Sequence, residues 1–387
     1  VERYEQVLVL GDGDGIEFLG PNHLALDTDD NLYVTEFGGG RVFVFSPEGE
    51  LLRQFAGAGD EIGELSGPTG IAVDADGFIY VGESGTSRVQ KFSPEGDPIA
   101  VWGKFGVGRG EFGSAMGIGI NEELGRVYVA DHVNSRIHVY TTDGELLFMF
   151  PRGGDYSQIG DEPDQMWLPI GVDLAADGTV YVVDTGNRRV QKFNPDGDIV
   201  EVLSSGPVVS PQVLSVEDDG SYWLTGPNDL DIVRFSATGE VLATLIPPAG
   251  GFASPHGTEV SADGTVWVAD SGNGVVRAYR LSETTLAAPV PTSSTTTVAA
   301  GPPPDVEIAM INYGYEPTTV TIKVGDTVRW VNPTSIQHTA TLEGLFDSGP
   351  VGQGGSFTYT FEETGTFHYL CSIHGAALQS GTIIVEP

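Results

Sequence analysis

The chain repeats itself every forty-odd residues, and that period constrains its fold more than any other feature. NLYVTEFGGGRVFVFSPEGE (31–50) recurs as FIYVGESGTSRVQKFSPEGD (78–97), RVYVADHVNSRIHVYTTDGE (126–145) and TVYVVDTGNRRVQKFNPDGD (179–198). Two weaker copies follow at 221–240 and 265–281. Aligned on the residue after the short apolar strand of each copy, they place Glu36, Glu83, Asp131, Asp184, Gly226 and Asp270 in register, 47, 48, 53, 42 and 44 residues apart. A unit this short cannot bury its own apolar face and must stack on its neighbours. With several short strands per unit, a period in the forties predicts an all-β ring, the β-propeller.

Each unit reads as an apolar strand, a D-x-D-G hairpin, a second strand, a polar loop, a third strand and a fourth after a P-E-G or P-D-G turn. Asp-Gly suits the positive-φ geometry of tight hairpins, and GDGDG (11–15) reads as another turn. The last unit stops after its third strand, at RAYRL. YEQVLVL (4–10) has no unit of its own, so it is expected to add the missing outer strand and close the ring. The acids in register, with Arg41, Arg88, Arg136 and Arg189 five residues after the first four, recur as structural features do, and we expect blade-to-blade ion pairs or turn hydrogen bonds from them.

The x-V-x-D-x-x-N-x-R-V-x-x-F pattern, clearest at 128–140 and 181–193, resembles the NHL-repeat propellers over residues 1–283. The resemblance implies six blades. Some NHL propellers are zinc lyases acting on hydroxyglycine-capped peptides through histidines from three blades. Here His256 stands at a comparable place, His23 is one residue out of step and a third histidine is missing. Asn22 and Glu259 are the only loose matches to a lactonase-like site. The preferred reading is therefore a scaffold that binds a ligand or protein on the propeller face. A propeller enzyme is the alternative, with calcium or zinc as the cofactor this part of the chain could carry.

Residues 284–304, TTLAAPVPTSSTTTVAAGPPP, cannot bury a core and read as an extended Ser/Thr/Pro linker. From 305 to 387 strand-like alternation returns in TVTIKVGDTVRWVN, SFTYTF and GTIIVE, as in a small Greek-key sandwich. This stretch contains the single cysteine of the chain. It lies in YLCSIHGAALQSGTIIV (369–385), 33 residues after His338. A thiolate with two imidazoles suits copper, with a weak axial ligand tuning its potential. One thiol is too few for a dinuclear thiolate-bridged centre, and no H-x-H or H-C-H string of a multicopper oxidase occurs. Phe367, Tyr369 and Cys371 alternate onto one face, so His368 is expected to point to water.

G-D-T-V-R-W-V-N (325–332), G-x-F-x-Y-x-F (355–361) and C-x-x-H resemble the plastocyanin-like cupredoxins over nearly all of 305–387. The resemblance implies one type 1 copper on His338, Cys371 and His374. Where the family has an axial Met, this chain has Gln379, a harder ligand that lowers the potential; Met310 is the alternative. Taken whole, the chain is expected to be all-β: a six-bladed β-propeller (1–283), a linker (284–304) and a cupredoxin β-sandwich (305–387).

A net charge of −36 excludes most nucleic-acid binding, which needs clustered Lys and Arg. Acidic residues outnumber basic ones on both sides of residue 305. That suits solubility, and it suits steering of a basic redox partner. No apolar run reaches the length of a membrane span. The expected setting is extracellular, periplasmic or cell-surface.

Overall fold

The computed structural model describes residues 4–13, 15–151, 159–227, 232–245, 251–282, 306–311, 314–317, 319–332, 338–342, 345–349, 351–352, 354–370 and 380–386. The chain divides into two compact units, Glu2–Thr284 and Thr285–Pro387.

The first unit is a six-bladed propeller, each blade a four-stranded antiparallel sheet. Blade 1 runs Pro21–Leu26, Leu32–Glu36, Arg41–Phe45 and Leu51–Ala56 from the axis outward. Its second strand is buried throughout and its outermost is largely exposed, because only the rim meets solvent on one side. Hairpins form as the sequence requires. The Asp27 carboxylate accepts the Asp29 and Asn31 N–H groups at 3.0 and 2.9 Å, and Asp74 repeats this with Asp76 and Phe78 at 3.1 and 2.8 Å.

The ring closes as expected. Tyr4–Leu10 pairs antiparallel with Val275–Leu281, from Tyr4 opposite Leu281 to Leu10 opposite Val276. Blade 6 thus takes its outermost strand from the N-terminal end of the unit and its other three from the C-terminal end, which fastens the ring. Apolar cores lie between blades. Tyr128, Val139 and Phe150 of blade 3 pack with Val180, Val182 and Phe193 of blade 4. Near the axis the innermost strands touch backbone to backbone. A Cβ on Gly257 would stand 2.7 Å from the Asn22 carbonyl, and one on Gly171 would stand 2.8 Å from that of Gln212.

The recurrent acids are structural, with one change to the expectation. Glu83, fully buried, pairs with Arg88 of its own blade at 2.6 Å, and Arg88 donates onward to the carbonyls of Asp60, Glu61 and Glu64 at 2.7, 3.0 and 3.1 Å. The other carboxylate oxygen accepts the Ser66 N–H at 2.9 Å. The ion pair is therefore internal to a blade, and its hydrogen bonds strap down the loop arriving from the blade before. Asp131 with Arg136 (3.0 Å) and Asp184 with Arg189 (2.7 Å) do the same. In blade 6 the arginine moves to Arg277, seven residues after Asp270 and 2.8 Å from it. Blade 5 has Gly226 in place of the acid, and Arg234 turns to Glu217 at 2.6 Å.

The second unit is a two-sheet sandwich. One sheet orders Gly314–Glu316, Val306–Ile311, Thr327–Val331 and Ser356–Thr360. The other orders Thr319–Lys323, Ser380–Glu386, Gly365–Leu370, Thr341–Leu342 and Phe346–Asp347. Val306–Ile311 with Thr327–Val331, and Thr319–Lys323 with Ser380–Glu386, are parallel pairs that no hairpin could make. Trp330, Tyr315, Tyr369, Ile308, Met310 and Ile383 fill the space between the sheets.

Candidate functional site

The site with the clearest chemistry in the sequence centres on His338. Thr327–Val331 alternates its side chains and delivers Asn332, fully buried, six residues before His338. Asn332 Nδ2 donates to the Val351 carbonyl at 2.7 Å, and Val351 and His338 exchange both backbone hydrogen bonds, at 3.2 and 2.7 Å. The Thr339 carbonyl accepts the Tyr315 hydroxyl at 2.5 Å. Ala340 donates to Ser348 Oγ at 2.8 Å and accepts the Ser348 N–H at 3.0 Å. The His338 side chain is wholly buried, on a segment whose backbone is tied at consecutive residues.

Cys371, His374 and Gln379 lie outside the described residues, so no ligand geometry follows for them. The strand leading toward Cys371 is described. In Gly365–Leu370, Tyr369 faces the core, Phe367 is half-buried, and His368 is exposed with Nδ1 3.0 Å from Thr382 Oγ1. This is the outward placing expected of His368. Met310 is fully buried in the apolar core. One thiol and two imidazoles remain a donor set suited to copper, and the buried, backbone-fixed His338 fits it.

The propeller offers a second place, its axial channel. His23 is buried, with Nδ1 against the Thr69 carbonyl and Nε2 lacking a hydrogen-bond partner. Burial lowers its pKa to about 4, the Thr69 contact opposes that shift, and nearby His256 adds to it. His256 is likewise held below its ordinary value by burial, its Nδ1 2.9 Å from the Ser254 carbonyl. Neutral imidazoles at His23 and His256 thus stand near one another. Among the described residues no group of three or more His, Cys, Asp or Glu is placed to hold a metal ion. A three-histidine zinc site is not formed by them.

Deeper in the channel is a pair only half visible in the sequence. Asp173 Oδ2 accepts the Val216 N–H at 2.7 Å, and Glu259 Oε1 accepts the hydroxyl of the adjacent Ser215 at 3.4 Å. Both carboxylates line a cavity of about 170 Å³ together with His23. Asn22 is buried elsewhere and does not line it. Burial raises the Asp173 pKa to about 6 against the pull of the Val216 and Leu174 N–H groups. Burial and the Asp173 charge push Glu259 well above the usual range. The signal that marks the pair is positional. At the same place along the six innermost strands the chain has Ala25, Ala72 and Gly119, then Asp173, Ser215 and Glu259. Half of the channel wall is small and half is polar.

Comparison with known proteins follows this division. Residues 17–278 match the virginiamycin B lyase family. Peptidyl-glycine alpha-amidating monooxygenase A of Xenopus laevis is 29% identical over 160 residues, which is 38% of this chain and only 17% of that protein. Plastocyanin of Scenedesmus fuscus is 34% identical over 86 residues, covering 19% of this chain and 86% of the plastocyanin. A solved streptogramin B lyase shares the propeller fold with a TM-score of 0.51 at 17% identity, covering 72% of this chain and 97% of that one. The chain therefore belongs to the virginiamycin B lyase family over residues 17–278, and it joins to that propeller a cupredoxin of the plastocyanin family.

Proposed function

We propose that this protein is an exported one-electron carrier in which His338, Cys371, His374 and Gln379 hold a single type 1 copper and the propeller serves as a binding scaffold. The observation that carries the reading is His338. It is buried, and its segment is hydrogen-bonded on both edges, in a domain 34% identical to a plastocyanin over 86 residues. Copper bound there supplies Cu(I)/Cu(II) cycling. The chain's part is to keep the ligand positions fixed, so that little rearrangement accompanies each electron. Gln379, an amide oxygen where the family has a thioether, favours the oxidised ion. A chain of net charge −36 attracts a basic redox partner over roughly a Debye length. The 1–283 propeller, 284–304 linker and 305–387 cupredoxin domain then place the carrier on a tether, in an extracellular, periplasmic or cell-surface setting.

The test is optical. Copper-loaded full-length protein should show intense thiolate-to-copper absorption in the visible, lost in Cys371→Ser. A copper-loaded protein without colour would end the assignment.

A second reading, a propeller enzyme, is favoured by one observation: the neutral, neighbouring His23 and His256 in a chain of the virginiamycin B lyase family. In that reading the histidines act as proton acceptors, with calcium or zinc as the metal, and the cupredoxin supplies or removes electrons. Metal analysis of the purified protein separates the two. Copper alone supports the carrier; stoichiometric zinc or calcium beside copper supports the enzyme.

A further inference from the structure

We propose that Tyr315 is a positioning residue for the copper centre, a single side chain that links the His338 segment to the strand leading toward Cys371. The inference rests on the copper reading above and goes beyond its ligand set.

Tyr315 is 1% exposed and sits in the short edge strand Gly314–Glu316, opposite Met310. Its hydroxyl crosses the sandwich to donate to the Thr339 carbonyl at 2.5 Å, 24 residues away in sequence. Thr339 directly follows His338. The ring of the same tyrosine meets Tyr369 edge-on, with centroids 4.6 Å apart and planes at 61°. Tyr369 lies two residues before Cys371. One side chain therefore touches the neighbours of two of the proposed ligands, by a directional bond on one side and by ring packing on the other.

Tyr369 has little freedom to move away from Tyr315. Trp330 abuts it edge-on at 5.3 Å and 78°. Gly381, opposite Tyr369 across the strand pair, has no side chain because a Cβ there would run into the Tyr369 hydroxyl. A close-packed core of this kind transmits a displacement rather than absorbing it. The Thr339 segment is also buried, so removing the Tyr315 hydroxyl takes a directional bond from the backbone beside His338 where water cannot readily replace it. Partners outside the ligand set are known to orient ligands in this way.

The experiment uses the full-length protein loaded with copper. Tyr315→Phe keeps the ring and removes only the hydroxyl. It is expected to bind one copper as the parent does, while shifting the visible band ratio, the parallel hyperfine splitting of the Cu(II) EPR spectrum and the reduction potential. Tyr315→Leu, which also loses the ring contact, is expected to weaken copper retention against a chelator by about 10-fold. Tyr369→Leu keeps the hydroxyl bond and removes the ring it leans on, and it should move the same EPR splitting. A coloured parent whose Tyr315→Phe and Tyr369→Leu forms match it in spectrum and potential overturns this inference and leaves the copper reading standing. A colourless parent overturns both.

Discussion

His138 Nε2 lies 3.2 Å from Asp131 Oδ2, and both side chains are wholly buried. The same place in blades 2 and 4 is a glutamine, with Gln90 donating to Glu83 at 2.8 Å and Gln191 to Asp184 at 3.0 Å. His138 thus sets an imidazole against the acid where its counterparts set an amide, in close approach rather than in the hydrogen bond that the glutamines make. Burial lowers the His138 pKa, although the Asp131 carboxylate works against that shift. A base with a lowered folded pKa binds fewer protons folded than unfolded, so stability falls as pH drops below the ordinary histidine value. His138→Gln should fold as well as the parent at pH 7 and show a shallower loss of stability from pH 7 to 4, measured by denaturant unfolding across that range.

The channel pair predicts an opposite slope. Asp173, with a pKa of about 6 when folded, is more protonated folded than unfolded. Its contribution to stability therefore declines as pH rises from about 4 through 6. Asp173→Asn keeps an acceptor for the Val216 N–H and cannot ionise. It should be more stable than the parent at pH 7 by about 1–2 kcal/mol, with the difference closing toward pH 4. His23, at about 4 when folded, gives the reverse: His23→Gln should gain on the parent at pH 4–5 and not at pH 7. Thermal melts of both variants against pH check the two signs.

Removing the cation from a blade strap should be costly. Arg88→Ala leaves the fully buried Glu83 without its ion pair and frees the carbonyls of Asp60, Glu61 and Glu64. The expected loss is about 3 kcal/mol, as for other buried charges stripped of a partner. Urea unfolding of the propeller would measure it, and Lys104→Ala, at a mostly exposed pair, should cost little.

In the cupredoxin, Gly381→Ala places a methyl group against the Tyr369 hydroxyl. Overpacking in a filled core typically costs about 1–3 kcal/mol. The loss should appear in the melting of the copper domain while the propeller transition stays where it was.

Gln379→Met is expected to raise the reduction potential of the copper form, read by redox titration of the visible band. An unchanged potential would mean that Gln379 is not an axial ligand.

The sequence made the ring legible because its period is a consequence of packing. Each unit must present the same faces to its neighbours, so the same residue types recur, and even the borrowed strand at 4–10 could be anticipated from a unit one strand short. The proposed copper donor set rests on a different argument: soft-ligand chemistry leaves few choices in a chain with one cysteine. The ion pairs were half legible. Recurrence marked Glu83 and Arg88 as structural, but whether they join two blades or one depends on which loop returns past them. Asp173 was missed because a lone acid in an apolar strand looks like any hairpin polar residue. Only the register of six strands around one axis brings it near Glu259. Tyr315 was missed because its importance lies in two contacts with segments far away in sequence.

The strand Tyr4–Leu10 finds its partner among residues some 270 positions further on, as in the contact between Gln6 and Arg277, 271 residues apart. During synthesis that strand must wait without its strand partner, its edge hydrated, until nearly the whole ring has emerged. The last hairpin then acts as a clasp, and every earlier blade is held only provisionally until it shuts. At biosynthetic rates of about 5–20 residues per second, that wait lasts tens of seconds, long enough for the chain to be handled as an open ribbon rather than a finished ring.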